Sequence, residues 1–180
     1  MKTLVIVSHP YPEQSQTIKA LQQAAGHLAD IEIRNLESLY GNDMAAIDVA
    51  AEQRACEAAD RIVYLFPIHW FNLTPMLKAY LNQVWTYGWA FGPGGTALQG
   101  KEMLAVVTAG ASAYTYSEAG LIHSTIEDVL TPMKASAHYV GMRYATPLAF
   151  FEARGLDQGR LATLEQSFVE RIVTPVGEAA

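Results

Sequence analysis

Leu4-Val5-Ile6-Val7 is apolar at every position, the pattern of a central parallel strand buried on both faces. From Ser15 the period changes. Ile18, Leu21, Ala25 and Leu28 recur at steps of three and four and so share one face of a helix. The alternation then repeats along the chain. Ile31–Leu36 alternates apolar and polar residues and predicts a strand nearer the sheet edge, and Val49–Ala59 predicts an alanine-rich helix carrying Cys56. Arg61–Phe66 predicts a third strand, and Thr74-Pro75 opens a helix with a hydroxyl cap and a proline in its first turn. Met76, Leu77, Tyr80, Leu81 and Val84 form the buried side of that helix.

After a glycine-rich segment with interleaved aromatics, Gly88–Gly100, come a fourth strand at Met103–Val107 and a loop over Gly110–Gly120. A helix over Ser124–Tyr139, bent at Pro132, leads to a fifth strand at Tyr144–Phe151 and a last helix over Asp157–Val173. Strands alternating with helices throughout predict an α/β fold: a doubly wound five-stranded parallel sheet with helices on both faces, in one domain spanning residues 1–180.

Composition narrows the function. Hydrophobic residues make up 51% of the chain and charged residues 17%, so it has enough apolar surface to form a core. A net charge of −6 leaves no broad cationic face for nucleic acid. The single cysteine, Cys56, cannot close an internal disulfide, and the start of the chain shows no signal-peptide pattern; the expectation is a cytoplasmic protein. No apolar stretch is long enough to cross a bilayer, so a membrane role would be peripheral.

In a doubly wound sheet ligands bind where the loops at the strand carboxyl ends converge. Three such loops carry unusual side chains. The first, His9–Thr17, is stiffened by Pro10 and Pro12 and sets Ser15 and Thr17 at the start of a helix, where free N–H groups suit a phosphate; ordinary capping by Ser15 explains the hydroxyl equally well. The second, Pro67-Ile68-His69-Trp70-Phe71, offers a face for a flat aromatic ligand or a hydrophobic lid over the sheet. The third, Thr108–Tyr116, begins with small residues that permit close backbone approach and ends in two phenols; a plain glycine turn with surface tyrosines is the alternative.

Other chemistries drop out. No G-x-G-x-x-G follows the first strand, there is no Walker lysine, and Gly110-Ala111-Ser112-Ala113 lacks the second glycine of a nucleophile elbow. The five histidines, His9, His27, His69, His123 and His138, have no zinc-type spacing, so no metal site is expected.

Phe66-Pro67-Ile68-His69-Trp70-Phe71, then Pro75-x-Leu77-Lys78, Gly88-Trp89-Ala90-Phe91-Gly92 and Gly94-Gly95-Thr96-Ala97-Leu98-x-Gly100-Lys101 resemble, in order and spacing, the flavodoxin-like NAD(P)H:quinone oxidoreductase family. That family includes DT-diaphorase and the small bacterial members that accompany potassium-efflux systems. The resemblance implies a flavin whose phosphate is held by His9, Ser15, Gln16 and Thr17, and whose ring is held by Pro67, Ile68, His69, Trp70 and Phe71 together with Thr108, Ala109, Gly110 and Ala111. It implies Tyr116 and His123 as the catalytic pair near the flavin N1–O2 edge. Two departures stand out: the family often has Thr-Thr-Gly-Gly where this chain has Thr108-Ala109-Gly110-Ala111, and His123 falls one place late.

The activity so implied is ping-pong two-electron transfer, hydride passing from NAD(P)H through flavin N5 to a quinone or another small electron acceptor. The cofactor is FMN, with FAD as the alternative, and the assembly a homodimer with the site built across two chains. A different function the resemblance supports is that of a regulatory flavoprotein subunit docked on a glutathione-gated potassium/proton antiporter at the inner face of the membrane. A one-electron carrier of the flavodoxin kind is disfavoured, because His9-Pro10-Tyr11-Pro12 replaces the hydroxyl-rich phosphate loop of those carriers.

Overall fold

A computed structural model describes residues 1–174; residues 175–180, the end of the expected domain, lie outside the described residues. β1 (Thr3–Val7), β3 (Arg61–Pro67) and β4 (Glu102–Thr108) are buried at every position, as their unbroken apolar runs require. β2 (Ile31–Asn35) lies at one edge and is half-buried, which is why its sequence alternates. The strand order is β2-β1-β3-β4-β5, with β5 at Arg143–Tyr144 and every pair parallel, so Val5 sits between Ile33 and Val63, and Val63 in turn lies beside Leu104.

Side chains alternate between two cores. Leu4, Ile6, Ile62, Tyr64, Phe66, Met103, Ala105 and Val107 pack under α3 (Val49–Ala58), α4 (Pro75–Val84) and α6 (Thr131–Tyr139). Val5, Val7, Val63, Leu65, Leu104 and Val106 pack under α1 (Gln16–Gly26) and α7 (Gln158–Val173). A sheet covered on both faces is the doubly wound arrangement expected, and the strand order 2-1-3-4-5 is the flavodoxin-like one.

Three elements differ from expectation. The fifth strand is two short pieces, β5 (Arg143–Tyr144) and β6 (Leu148–Phe150), both paired with β4; Pro147 falls in the gap and has no N–H for a ladder. The helix over Ser124–Tyr139 is split into α5 (Ile126–Val129), capped by Thr125 and Asp128 in a reciprocal box, and α6, with Pro132 in its first turn. Leu36 belongs to a short helix, α2 (Leu36–Tyr40), because the Asn35 side chain caps it and ends the strand one residue early.

The Gly88–Gly100 segment is ordered by burial of Ala90 and Leu98 and by the Trp89 indole N–H, which donates to Glu57 at 2.7 Å. It leads into the start of β4, so it lies at the end of the sheet opposite the loops expected to bind a ligand. At that same end Arg61 is fully buried beside Glu102, its register neighbour on β4. Its Nε donates to Glu102 at 2.6 Å, and its Nη1 donates to the carbonyls of Arg171 and Ile172, closing the last turn of α7.

Candidate functional site

At the carboxyl ends of β1, β3, β4 and β6 the loops enclose a cavity of about 450 Å³, within the usual size range for small-molecule sites. Of the expected residues it brings together His9, Ser15, Gln16, Pro67, Ile68, His69, Thr108, Ala109 and Gly110. Tyr11, Gln14, Ala153, Arg154 and Gly155 complete the lining. Thr17, Trp70, Phe71, Ala111, Tyr116 and His123 do not line it.

The first loop turns through a single 3₁₀ turn, Pro12–Gln14, into Ser15, whose hydroxyl accepts the Ile18 N–H at 3.1 Å and caps α1. Ser15 therefore caps the helix and lines the cavity as well. The Gln16 and Thr17 amides find no protein acceptor among the described residues, leaving two donors and the positive end of the helix at the cavity mouth. The Thr17 hydroxyl is buried and donates to the Ala153 carbonyl at 2.9 Å, so its role is to tie α1 to the loop after β6. Just below, Ser8 donates to Glu37 at 2.7 Å and accepts from Thr74, the α4 cap, at 2.5 Å; this joins the first loop to the second.

His9 accepts the Tyr11 N–H on Nδ1 at 2.9 Å, so in the neutral ring the proton sits on Nε2 and is free to donate. Its ring meets that of His69 edge-on at 5.9 Å. Burial, and then the neighbouring His69, push the His9 pKa down to about 4. Burial, and then Arg154, push His69 down as well. Both imidazoles are thus neutral near pH 7.

The second loop is a hairpin turn closed by two backbone bonds between His69 and Asn72. Its central residues, Trp70 and Phe71, have φ of 47° and 58°. Left-handed backbone at both central positions is the geometry that Asn-Gly normally supplies, and bulky aromatics there cost about 1–3 kcal/mol each. Trp70 is 93% exposed, while Phe71 packs edge-on against Tyr116 at 6.1 Å.

In the third loop Thr108 and Ala109 are buried, and the Ala109 N–H donates to Phe150 O. Tyr116 is half-buried between Phe71 and Phe151, and burial raises its pKa, so the phenol keeps its proton at neutral pH. The turn behind it is tight: a Cβ on Gly120 would fall 1.9 Å from the Tyr114 carbonyl oxygen, so only glycine fits. His123 is exposed, with φ of 50° and Nδ1 3.1 Å from the Glu118 carbonyl.

The fourth loop, after β6, went unnoticed in the sequence. The Glu152 N–H donates to Ala111 O and the Ala153 N–H to Ala109 O, which fixes the backbone of 152–153 against the third loop. Its signal was positional: Glu152-Ala153-Arg154-Gly155 follows the last strand just as the other three loops follow theirs. No cluster of potential metal ligands occurs among the described residues.

Residues 1–172 match the Flavodoxin_2 family, described as a flavodoxin-like fold. The chain is 36% identical over 172 residues to a Bacillus subtilis protein named "Uncharacterized NAD(P)H oxidoreductase YdeQ", covering 96% of this chain and 86% of that one. It is 36% identical over 170 residues to the glutathione-regulated potassium-efflux system ancillary protein KefF of Salmonella typhimurium, covering 94% of each. Among solved structures, general stress protein 14 of Treponema denticola in complex with FMN superposes with a TM-score of 0.85 at 35% identity, covering 94% of this chain and 95% of that one.

Proposed function

Because this chain belongs to the Flavodoxin_2 family, we propose that it is an FMN-dependent NAD(P)H oxidoreductase that passes two electrons to a quinone, its two substrates entering one pocket in turn. The observation that carries the reading is the cavity at the strand carboxyl ends, where unpartnered amides of α1 meet the His69 imidazole and small residues from three further loops. The residues present fit FMN. Gln16 and Thr17 amides, the Ser15 side chain and His9 Nε2–H suit its phosphate, and Pro67–His69 with Thr108–Gly110 suit its ring system.

When bound, FMN supplies reversible two-electron hydride chemistry, taken from NAD(P)H and given to the acceptor. The chain's contribution is placement and charge. With FMN bound, backbone donors of the third loop and the protonated Tyr116 phenol would stabilise negative charge gained by the flavin ring, and His123 is the weaker candidate because its Nδ1 is already turned to Glu118 O. Trp70 and Phe71 form the outer wall against which flat substrates stack.

FMN is preferred to FAD because a relative of 35% identity binds it. A homodimer is part of the proposal: Tyr87 is exposed and its ring meets Phe91 at 5.9 Å, which in turn meets exposed Tyr139 at 5.7 Å, an aromatic patch a second copy would cover. Similarity to the potassium-efflux ancillary protein supports a second reading, peripheral docking on an antiporter from the cytoplasmic side. No helix of the described residues is long and apolar enough to cross a membrane.

Purified protein is expected to be yellow or to take up FMN, to release FMN on denaturation, and to oxidise NAD(P)H only when a quinone is supplied. Absence of flavin binding defeats the proposal, and a monomeric mass by light scattering in fully active protein defeats the dimer. Co-purification with an antiporter whose transport responds to the protein, without quinone turnover, favours the second reading.

A further inference from the structure

We propose that Arg154 is the fixed counter-charge for the flavin phosphate, so that the phosphate is clamped between the α1 N-terminus and the loop after β6. The inference rests on the flavin reading above. Arg154 is the one permanently charged residue in the cavity lining among the described residues, the two imidazoles there being neutral near pH 7. A phosphate monoester brings a charge of about −1.5 to −2 at that pH, and helix-end partial charge of about half a unit covers only part of it.

The guanidinium is uncommitted: it makes no ion pair among the described residues. Its backbone, in contrast, is fixed on two sides. The amide of Ala153 donates to the third loop at Ala109 O, and the Ala153 carbonyl accepts the buried Thr17 hydroxyl from the first turn of α1. This second bond couples the position of Arg154 to the very turn whose free amides would receive the phosphate. The side chain is guided as well, since its Nε lies 3.4 Å from where a Cβ on Gly110 would be, so the stem runs over a glycine with no side chain in the way. An arginine with no ion-pair partner among the described residues, beside an anchored backbone, at a cavity lined by donors, is arranged to offer its planar fork to two oxygens of a tetrahedral phosphate.

FMN and riboflavin differ only by the phosphate, so their affinities for apoprotein, read by quenching of flavin fluorescence, isolate it. Arg154→Gln is expected to weaken FMN about 10- to 100-fold, the range for a charge-assisted contact, and to leave riboflavin unchanged. Arg154→Lys should fall between, and the salt dependence of FMN binding should flatten in Arg154→Gln. Equal losses for both flavins, or no loss for either, overturn the proposal. The 2′-phosphate of NADPH has the same chemistry, so the NADPH to NADH preference is measured alongside. A change in that preference with the FMN to riboflavin ratio intact would assign Arg154 to the nicotinamide nucleotide and overturn the proposal. Wild-type protein that binds neither flavin would overturn the flavin reading itself, an outcome distinct from normal riboflavin binding without an FMN advantage.

Discussion

Replacing Arg61 with Met tests what the buried pair at the closed end of the sheet contributes. Arg61 is 0% exposed and Glu102 is buried; truncation strips the carboxylate of its partner and two α7 carbonyls of theirs. Breaking such a pair typically costs about 3–5 kcal/mol, a large part of the roughly 5–15 kcal/mol that holds a domain together. The pair itself is not an efficient source of stability. Arg61 Nη2 is buried without a partner among the described residues, which costs about 1–3 kcal/mol, so a double variant, Arg61→Met with Glu102→Leu, should recover most of the loss. Urea unfolding of the wild type, both singles and the double closes the cycle. FMN affinity should hold throughout, because the cavity lies at the opposite end of the strands. A single variant that loses under about 1 kcal/mol, or a double no more stable than Arg61→Met, refutes the reasoning.

Converting Trp70-Phe71 to Asn-Gly relieves the left-handed strain and should raise stability by about 1–3 kcal/mol while weakening substrate binding; a stabilised variant with unaltered KM for NAD(P)H and quinone would remove the turn from the site. His9 is held neutral in the folded chain down to about pH 4, whereas an unfolded chain protonates it near pH 6.5. Between those values the unfolded state binds more protons, so the His9 share of stability is present above pH 6.5 and is lost as pH falls toward 4. Apoprotein urea midpoints should thus fall more steeply over that window in wild type than in His9→Asn, and parallel curves would count against it. Tyr116→Phe should slow flavin reduction in stopped flow by up to about 10²-fold, less than for a fully enclosed donor because water reaches this half-exposed phenol, with FMN affinity nearly unchanged. His123→Ala should slow it less, and wild-type rates in both variants would leave the third-loop amides as the donors.

The sheet was legible because β1, β3 and β4 are buried on both faces and therefore read as unbroken apolar runs, and the three loops after β1, β3 and β4 were legible through their residue types. Pro147 is visible as a residue, but the strand pattern runs through it because Leu148-Ala149-Phe150-Phe151 on its far side is an unbroken apolar run. The place of the Thr17 hydroxyl could not be told by sequence, since a hydroxyl at a helix start looks the same whether it meets a phosphate or, as here, the Ala153 carbonyl. Arg154 escaped notice because a lone arginine among small residues has no pattern; only tertiary folding brings it opposite α1. The glycine-rich 88–100 segment has no periodic pattern that shows what holds it, yet burial of Ala90 and Leu98 pins it to the core.

The divided strand beside β4 bears on how molecules of this protein can meet. An edge strand is a template on which another chain can add its own, and uninterrupted edges invite runaway association. Here that edge offers only two residues, then a gap containing a proline, then three more. No foreign strand could find a continuous ladder along it. Self-assembly by extending the sheet is thereby closed off on this side, and a lasting partnership here must be made through helix faces and loops, where side-chain shape decides the match and growth can stop at two.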